Sequence, residues 1–73
     1  MNIQLNGDQR QVPDGLTLAG LLEWLGLPQD RVAVERNLEI VKRAKWSATA
    51  IEEGDRLEIV QMVGGGSIRR SLP

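Results

Sequence analysis

The chain has 73 residues, a formal net charge of −1 and 41% hydrophobic residues, which predicts one small domain with one core. Cysteine and histidine are both absent. Their absence excludes a disulfide framework, a thiolate nucleophile and a Ser-His-Asp arrangement, and it removes the commonest metal ligand. We therefore expect no catalytic residues and no metal site. The near-neutral charge also disfavours nucleic-acid binding, because such proteins usually carry a basic patch.

No apolar run approaches the roughly 20 residues that a membrane-spanning helix needs. The first residues, Met-Asn-Ile-Gln, lack the basic and apolar regions of a secretory signal. From these two features we expect a cytoplasmic protein without membrane contacts.

The beginning of the chain predicts a β-hairpin. Ile3 and Leu5 alternate with polar residues, which is the period of a half-buried strand. Asn6-Gly7 follows, the strongest short hairpin signal, and residues 9–12 form the predicted returning strand.

One helix is predicted between Thr17 and Gly26. Its apolar face consists of leucines at helical spacing, namely Leu18, Leu21, Leu22 and Leu25. Thr17 occupies the N-cap position and Gly26 the position of a left-handed C-cap, while Pro28 prevents continuation of the helix.

Three further strands are predicted in the second half of the chain, over residues 31–36, 39–42 and 56–63. Asn37-Leu38 is predicted to turn the chain between the first two. Residues 45–50 are ambiguous, and we interpret them as a single helical turn anchored by Trp46. This order of elements predicts an α+β domain, in which a mixed sheet of four to five strands packs on one main helix.

The last predicted strand runs directly into three glycines, the one local feature that suggests chemistry. Leu57 and Ile59 are predicted to face the helix, which places Val60 and Met62 on the opposite face. The glycines are Gly64, Gly65 and Gly66. Taken alone, such a run is more typical of a flexible linker. We predict a domain over residues 1–63, with regular structure ending at the glycines and a flexible segment and tail over residues 64–73.

The order and spacing of these features resemble the ThiS family, the small sulfur carrier proteins of thiamine biosynthesis. The resemblance covers residues 1–66 and implies a ubiquitin-like β-grasp fold. The residues that carry it are Asn6-Gly7, Leu16-Thr17, Leu21-Leu22, residues 32–37, Ile40-Val41, Trp46, the turn Glu53-Gly54-Asp55 and the strand that ends in the three glycines.

The resemblance implies a carrier on which partner enzymes act, and not an enzyme. Members of the family end in Gly-Gly, and an E1-like enzyme adenylates the terminal carboxylate with ATP. Sulfur from a persulfide then displaces AMP, and thiazole synthase receives the sulfur from the resulting thiocarboxylate. Carried onto this chain, the motif is Gly64, Gly65 and Gly66, and Gly66 would hold the thiocarboxylate. No cofactor bound to the carrier itself is implied.

A docking surface for these partners is predicted on the last strand, at Val60, Met62 and Val63. Methionine suits adaptable contacts with more than one partner. The alternative is that these side chains cover another part of the core or lie singly on the surface, which is ordinary.

The chain departs from the family pattern because residues 67–73 follow Gly66. We favour removal of this tail by a processing protease. The alternatives are an extension left over from expression or added by chance, and a copy that has lost carrier activity. Two other functions also remain open. One is a carrier of another pathway, such as the small subunit of molybdopterin synthase, and the other is a β-grasp binding module without terminal chemistry.

Overall fold

The computed structural model describes residues 1–63 and 67–70. In chain order the elements are β1 (Asn2–Leu5), β2 (Asp8–Gln11), α1 (Leu18–Leu25), β3 (Val32–Arg36), β4 (Glu39–Val41), β5 (Arg56–Val63) and β6 (Ser67–Arg70), with 3-10 helices at Gln29–Arg31 and Arg43–Ala48. The predicted helical turn around Trp46 is therefore confirmed as part of a 3-10 helix.

The last predicted strand, β5, lies in the centre of the sheet. It pairs parallel with β1 and antiparallel with β3, and the strand order is β2-β1-β5-β3-β4. The hairpin β1–β2 thus lies on one side of β5 and the hairpin β3–β4 on the other. This mixed sheet with one main helix confirms the predicted fold class.

Helix α1 covers one face of the sheet and has the predicted caps. The Thr17 hydroxyl accepts a hydrogen bond from the Gly20 backbone N–H at 3.0 Å, and Gly26 adopts a φ of 74° at the C-cap. Its buried face packs into an almost purely aliphatic core of Ile3, Leu5, Val12, Leu18, Leu21, Leu22, Val32, Val34, Trp46, Ile51, Leu57 and Ile59. No helix within the described residues is long and apolar enough to cross a membrane.

Strand β6 corrects the expectation that regular structure ends at the glycines. It pairs antiparallel with β5, with Val63 opposite Ser67 and Val60 opposite Arg70. The sequence carries no sign of this strand, because residues 67–70 lack the alternation of a half-buried strand. The pairing brings a sixth strand into the sheet, beside the five that the sequence predicts.

Candidate functional site

The candidate site lies at the C-terminal end of β5, where the glycines follow in the sequence. Leu57 and Ile59 are 0% and 1% exposed, so the strand that precedes the glycines is anchored in the core. Gly64, Gly65 and Gly66 lie outside the described residues, and their predicted role stays a prediction. The same holds for docking at Val63, whose side chain the structure does not describe.

The start of β5 is fixed by a buried carboxylate. Asp55 is 6% exposed and accepts hydrogen bonds from the Arg36 guanidinium at 2.9 Å, the Asn37 amide at 3.2 Å and the Glu52 backbone N–H at 2.8 Å. Burial, the largest single influence, raises the pKa of Asp55, but the hydrogen bonds from Arg36, Glu52 and Asn37 together hold that pKa below its ordinary value. The carboxylate therefore ties β3, the β3–β4 turn and the loop before β5 together.

A second buried polar side chain fixes the middle of β5. The Asn6 amide donates to the Ile59 carbonyl at 3.0 Å and accepts from the Ile59 N–H at 2.7 Å, and Asn6 is 8% exposed. The side chain thus takes the place of a neighbouring strand beside Ile59, since β1 pairs with β5 only at Arg56 and Leu57.

The face of the sheet that points away from α1 carries an exposed apolar groove. It is lined by Ala33, Leu38, Ile40 and Val60, with Glu35, Glu58 and Arg56 among the polar residues around them. Leu38 and Ile40 are 71% and 76% exposed, and Met62, 45% exposed, lies further along β5 on the same face as Val60. We call Ala33, Leu38, Ile40, Val60 and Met62 the apolar face.

The structure places two of the three predicted docking residues, Val60 and Met62, on the apolar face, and Val60 is half-buried. Leu38 and Ile40 also belong to this face and are not among the predicted docking residues. The sequence does carry a signal for them. Leu38 and Ile40 lie on either side of Glu39 in a short hairpin, and Val41 is the residue of that hairpin that packs against the core. Their placement next to Val60 depends on the pairing of β3 with β5, which the sequence does not show.

Nothing in the described part of the chain forms a metal centre, since no group of three or more Asp or Glu side chains is placed to hold an ion. The geometry of the described residues instead offers a strand anchored in the core and an apolar face beside it. Exposed apolar side chains of this kind are suited to contact with another protein.

Comparison with known proteins finds similar sequences. The model of the ThiS family matches residues 3–66. The chain is 45% identical over 67 residues to a thiazole synthase of Paramagnetospirillum magneticum, covering 92% of this chain and 21% of that protein. It thus spans about a fifth of the length of the thiazole synthases that it matches. It is 33% identical to the sulfur carrier protein ThiS of Escherichia coli over 66 residues, covering 90% of this chain and 100% of that protein.

A solved structure has the same fold. The crystal structure of a thiamine biosynthesis protein (ThiS) from Geobacter metallireducens superposes with a TM-score of 0.78 at 37% sequence identity. The match covers 90% of this chain and 100% of that chain.

Proposed function

The chain belongs to the ThiS family, and we propose that it is a sulfur carrier protein of thiamine biosynthesis whose working group is the carboxylate of Gly66. The observation that supports this most is the position of the glycines. In the sequence they follow directly on the central strand, which contributes Val60 and Met62 to the apolar face, and the family match extends through residue 66.

The proposed chemistry starts from the fact that a free carboxylate is a poor acyl donor. An E1-like enzyme uses ATP to convert the Gly66 carboxylate to an acyl adenylate, with release of pyrophosphate. A persulfide sulfur then attacks the acyl carbon and AMP leaves. Reductive cleavage of the resulting acyl disulfide by a thiol leaves a thiocarboxylate on Gly66. Thiazole synthase takes the sulfur from it.

The chain itself contributes presentation rather than catalysis. Glycines lack Cβ atoms, so their backbone can approach the walls of a narrow channel in a partner enzyme. The apolar face supplies a docking surface with four large apolar side chains, Leu38, Ile40, Val60 and Met62, and Glu35 and Glu58 lie beside them. We propose that the activating enzyme and thiazole synthase both dock there in turn.

Residues 67–73 must be removed before this chemistry begins, because they block the Gly66 carboxylate. We propose that a processing protease hydrolyses the Gly66–Ser67 peptide bond. One water molecule is consumed, and the products are the Gly66 carboxylate and a free amine on Ser67.

Intact-mass spectrometry on two chains tests the proposal. The full chain and a chain ending at Gly66 are each incubated with an E1-like enzyme, ATP, a persulfide donor and a thiol reductant. We expect only the shorter chain to gain the mass difference between sulfur and oxygen. If the shorter chain stays unchanged with an enzyme that is active on another ThiS protein, the carrier proposal fails and a binding module takes its place.

Docking is tested separately on the chain that ends at Gly66. Ile40→Ser removes an exposed apolar side chain from the apolar face, and we expect the rate of thiocarboxylate formation to fall about tenfold. Trp24→Ser is the matched control, because Trp24 is 47% exposed on α1, away from that face. Equal effects of the two substitutions would contradict docking on the apolar face.

A further inference from the structure

We propose that residues 67–70 form an autoinhibitory strand, whose pairing with β5 limits the access of enzymes to the Gly66–Ser67 bond. This inference rests on the proposed role of Gly66. Strand β5 has two edges, and β6 pairs with one of them.

One edge of β5 pairs with β3 from Leu57 to Gln61. Their register runs from Val32 opposite Gln61 to Arg36 opposite Leu57. Gln61 also lies opposite Arg69 of β6. Because one residue of a strand has a single neighbour on each side, β6 lies on the edge away from β3, which is the edge of β1.

The edge on the β1 side is divided into three sections. The Asn6 backbone N–H donates to the Leu57 carbonyl at 2.9 Å where β1 ends. The Asn6 side chain then satisfies both backbone groups of Ile59. Beyond Ile59, β6 is the strand that the structure places on this edge, opposite Gln61 and Val63.

The alternation of a strand shows which groups β6 covers. Ile59 directs its N–H and C=O to this edge, so Gln61 and Val63, two and four residues further on, direct theirs to the same edge. The pairs Gln61–Arg69 and Val63–Ser67 are therefore the hydrogen-bonded pairs, and the N–H of Arg70 points away from β5. Asn6 keeps β1 from extending over these groups, which leaves the edge open for β6.

This pairing has a consequence for the glycines. Val63 and Ser67, the residues that flank the glycine segment, lie opposite each other. An enzyme that binds its substrate as an extended strand must first separate β6 from β5 before it reaches the Gly66–Ser67 bond. Cleavage then follows the population of the opened form, so weaker pairing gives faster cleavage.

Two proline substitutions distinguish an effect of β5–β6 pairing from an effect of introducing a proline into the tail. Arg69→Pro removes an N–H that β6 donates to β5, whereas Arg70→Pro removes an N–H that points outward, where an edge strand tolerates proline. Both variants lose one positive charge and gain one proline. The probe is a cysteine endopeptidase that cuts after glycine, and mass spectrometry follows release of the tail.

We expect Arg69→Pro to lose its tail about tenfold faster than the unsubstituted chain, and Arg70→Pro to lose it within about twofold of that chain. Equal rates for all three chains would overturn the proposal. So would equal acceleration in both variants, because proline would then act without regard to the pairing.

Amide hydrogen exchange gives a second readout that needs no protease. We expect the Gln61 and Val63 amides to exchange at least about tenfold more slowly in the full chain than in a chain ending at Gly66. The Ile59 amide, held by Asn6, should be equally protected in both and shows that the domain is folded. Equal exchange of Gln61 and Val63 in the two chains would refute the strand. Neither experiment uses sulfur transfer, so failure of the carrier proposal remains distinguishable.

Discussion

The β1–β2 turn and the β3–β4 turn have similar backbone geometry, but the first turn has a buried asparagine and the second an exposed one. Asn6-Gly7 joins β1 to β2 and Asn37-Leu38 joins β3 to β4, each as a two-residue connection. All four residues have positive φ, at 49° and 88° in the first turn and 51° and 73° in the second, as type I′ turns require. Each asparagine also bonds to β5, Asn6 at Ile59 and Asn37 at Arg56.

The difference between the turns lies in their second residues. Gly7 adopts positive φ without steric cost, whereas Leu38 is a branched side chain in a conformation that disfavours it. Leu38 is also 71% exposed, so burial does not compensate for this cost. The first turn thus has a glycine where positive φ carries no steric cost. The second turn has a leucine there, which is strained and forms part of the apolar face.

The largest expected effect concerns the two asparagines. Asn6→Gly and Asn37→Gly both remain compatible with positive φ and remove the side-chain amide together with its Cβ. Asn6→Gly leaves the buried backbone of Ile59 without its partners and should cost about 3 kcal/mol of unfolding free energy. Asn37 is exposed, so water replaces its amide and the cost should be about 1 kcal/mol. Urea unfolding measures both, and equal losses would show that burial does not distinguish the turns.

The stabilisation by Asp55, which accepts hydrogen bonds from Arg36 and from Asn37 of the exposed turn, should depend on pH. The hydrogen bonds that lower the pKa of Asp55 stabilise the folded state above the ordinary pKa of 3.8, and that contribution is lost as the pH falls through the lower folded value. Asp55→Asn should cost about 2 kcal/mol near neutral pH, because charge-assisted bonds from Arg36 are lost. Its stability should then fall less on acidification than that of the unsubstituted chain.

Urea unfolding from about pH 7 to about pH 3 measures this difference. Asp14→Asn is the control, because it removes an exposed ion pair with the N-terminal amine. It should retain most of the acid sensitivity. An Asp55→Asn chain with the same pH profile as the unsubstituted chain would contradict the assignment to Asp55.

The smallest expected effect comes from exchanging the second residues of the turns. Leu38→Gly should raise the unfolding free energy by about 0.5–1 kcal/mol, and Gly7→Leu should lower it by about 1 kcal/mol. No atom lies within 4 Å of a Cβ at Gly7, so backbone conformation alone should set the second value. Leu38→Gly should at the same time slow thiocarboxylate formation. A stabilised variant with an unchanged rate would remove Leu38 from the docking surface.

Local signals made most of the fold predictable. Both turns, the caps Thr17 and Gly26, and the bounds of β5 follow from residues that are close in sequence. The contacts that fix β5 do not, because Asn6 meets Ile59 across 53 residues and Arg36 meets Asp55 across 19. An asparagine before glycine indicates a turn. Its hydrogen bonds to the backbone of Ile59 depend on the topology, which places β5 beside the turn.

The same reasoning explains why only part of the apolar face is predictable from the sequence. Val60 and Met62 were found because they interrupt the polar face of one strand. Leu38 and Ile40 reach that surface from a different hairpin, and β3 must pair with β5 before the two groups meet. Strand β6 is unpredictable for a related reason. It pairs with the edge of β5 that lies free beyond the end of β1 at Leu5, and the sequence does not show that edge.

The central position of β5 has a consequence for how the protein is made. Its parallel pairing with β1 joins residues 4–5 to residues 56–57, so the five strands β1 to β5 cannot assemble while the ribosome is still adding β5. Until then the two hairpins have no strand between them, and an isolated hairpin is marginally stable. We expect the chain to fold only after synthesis has passed Val63, in one cooperative step. A nascent chain stopped before Arg56 should remain unfolded and be degraded.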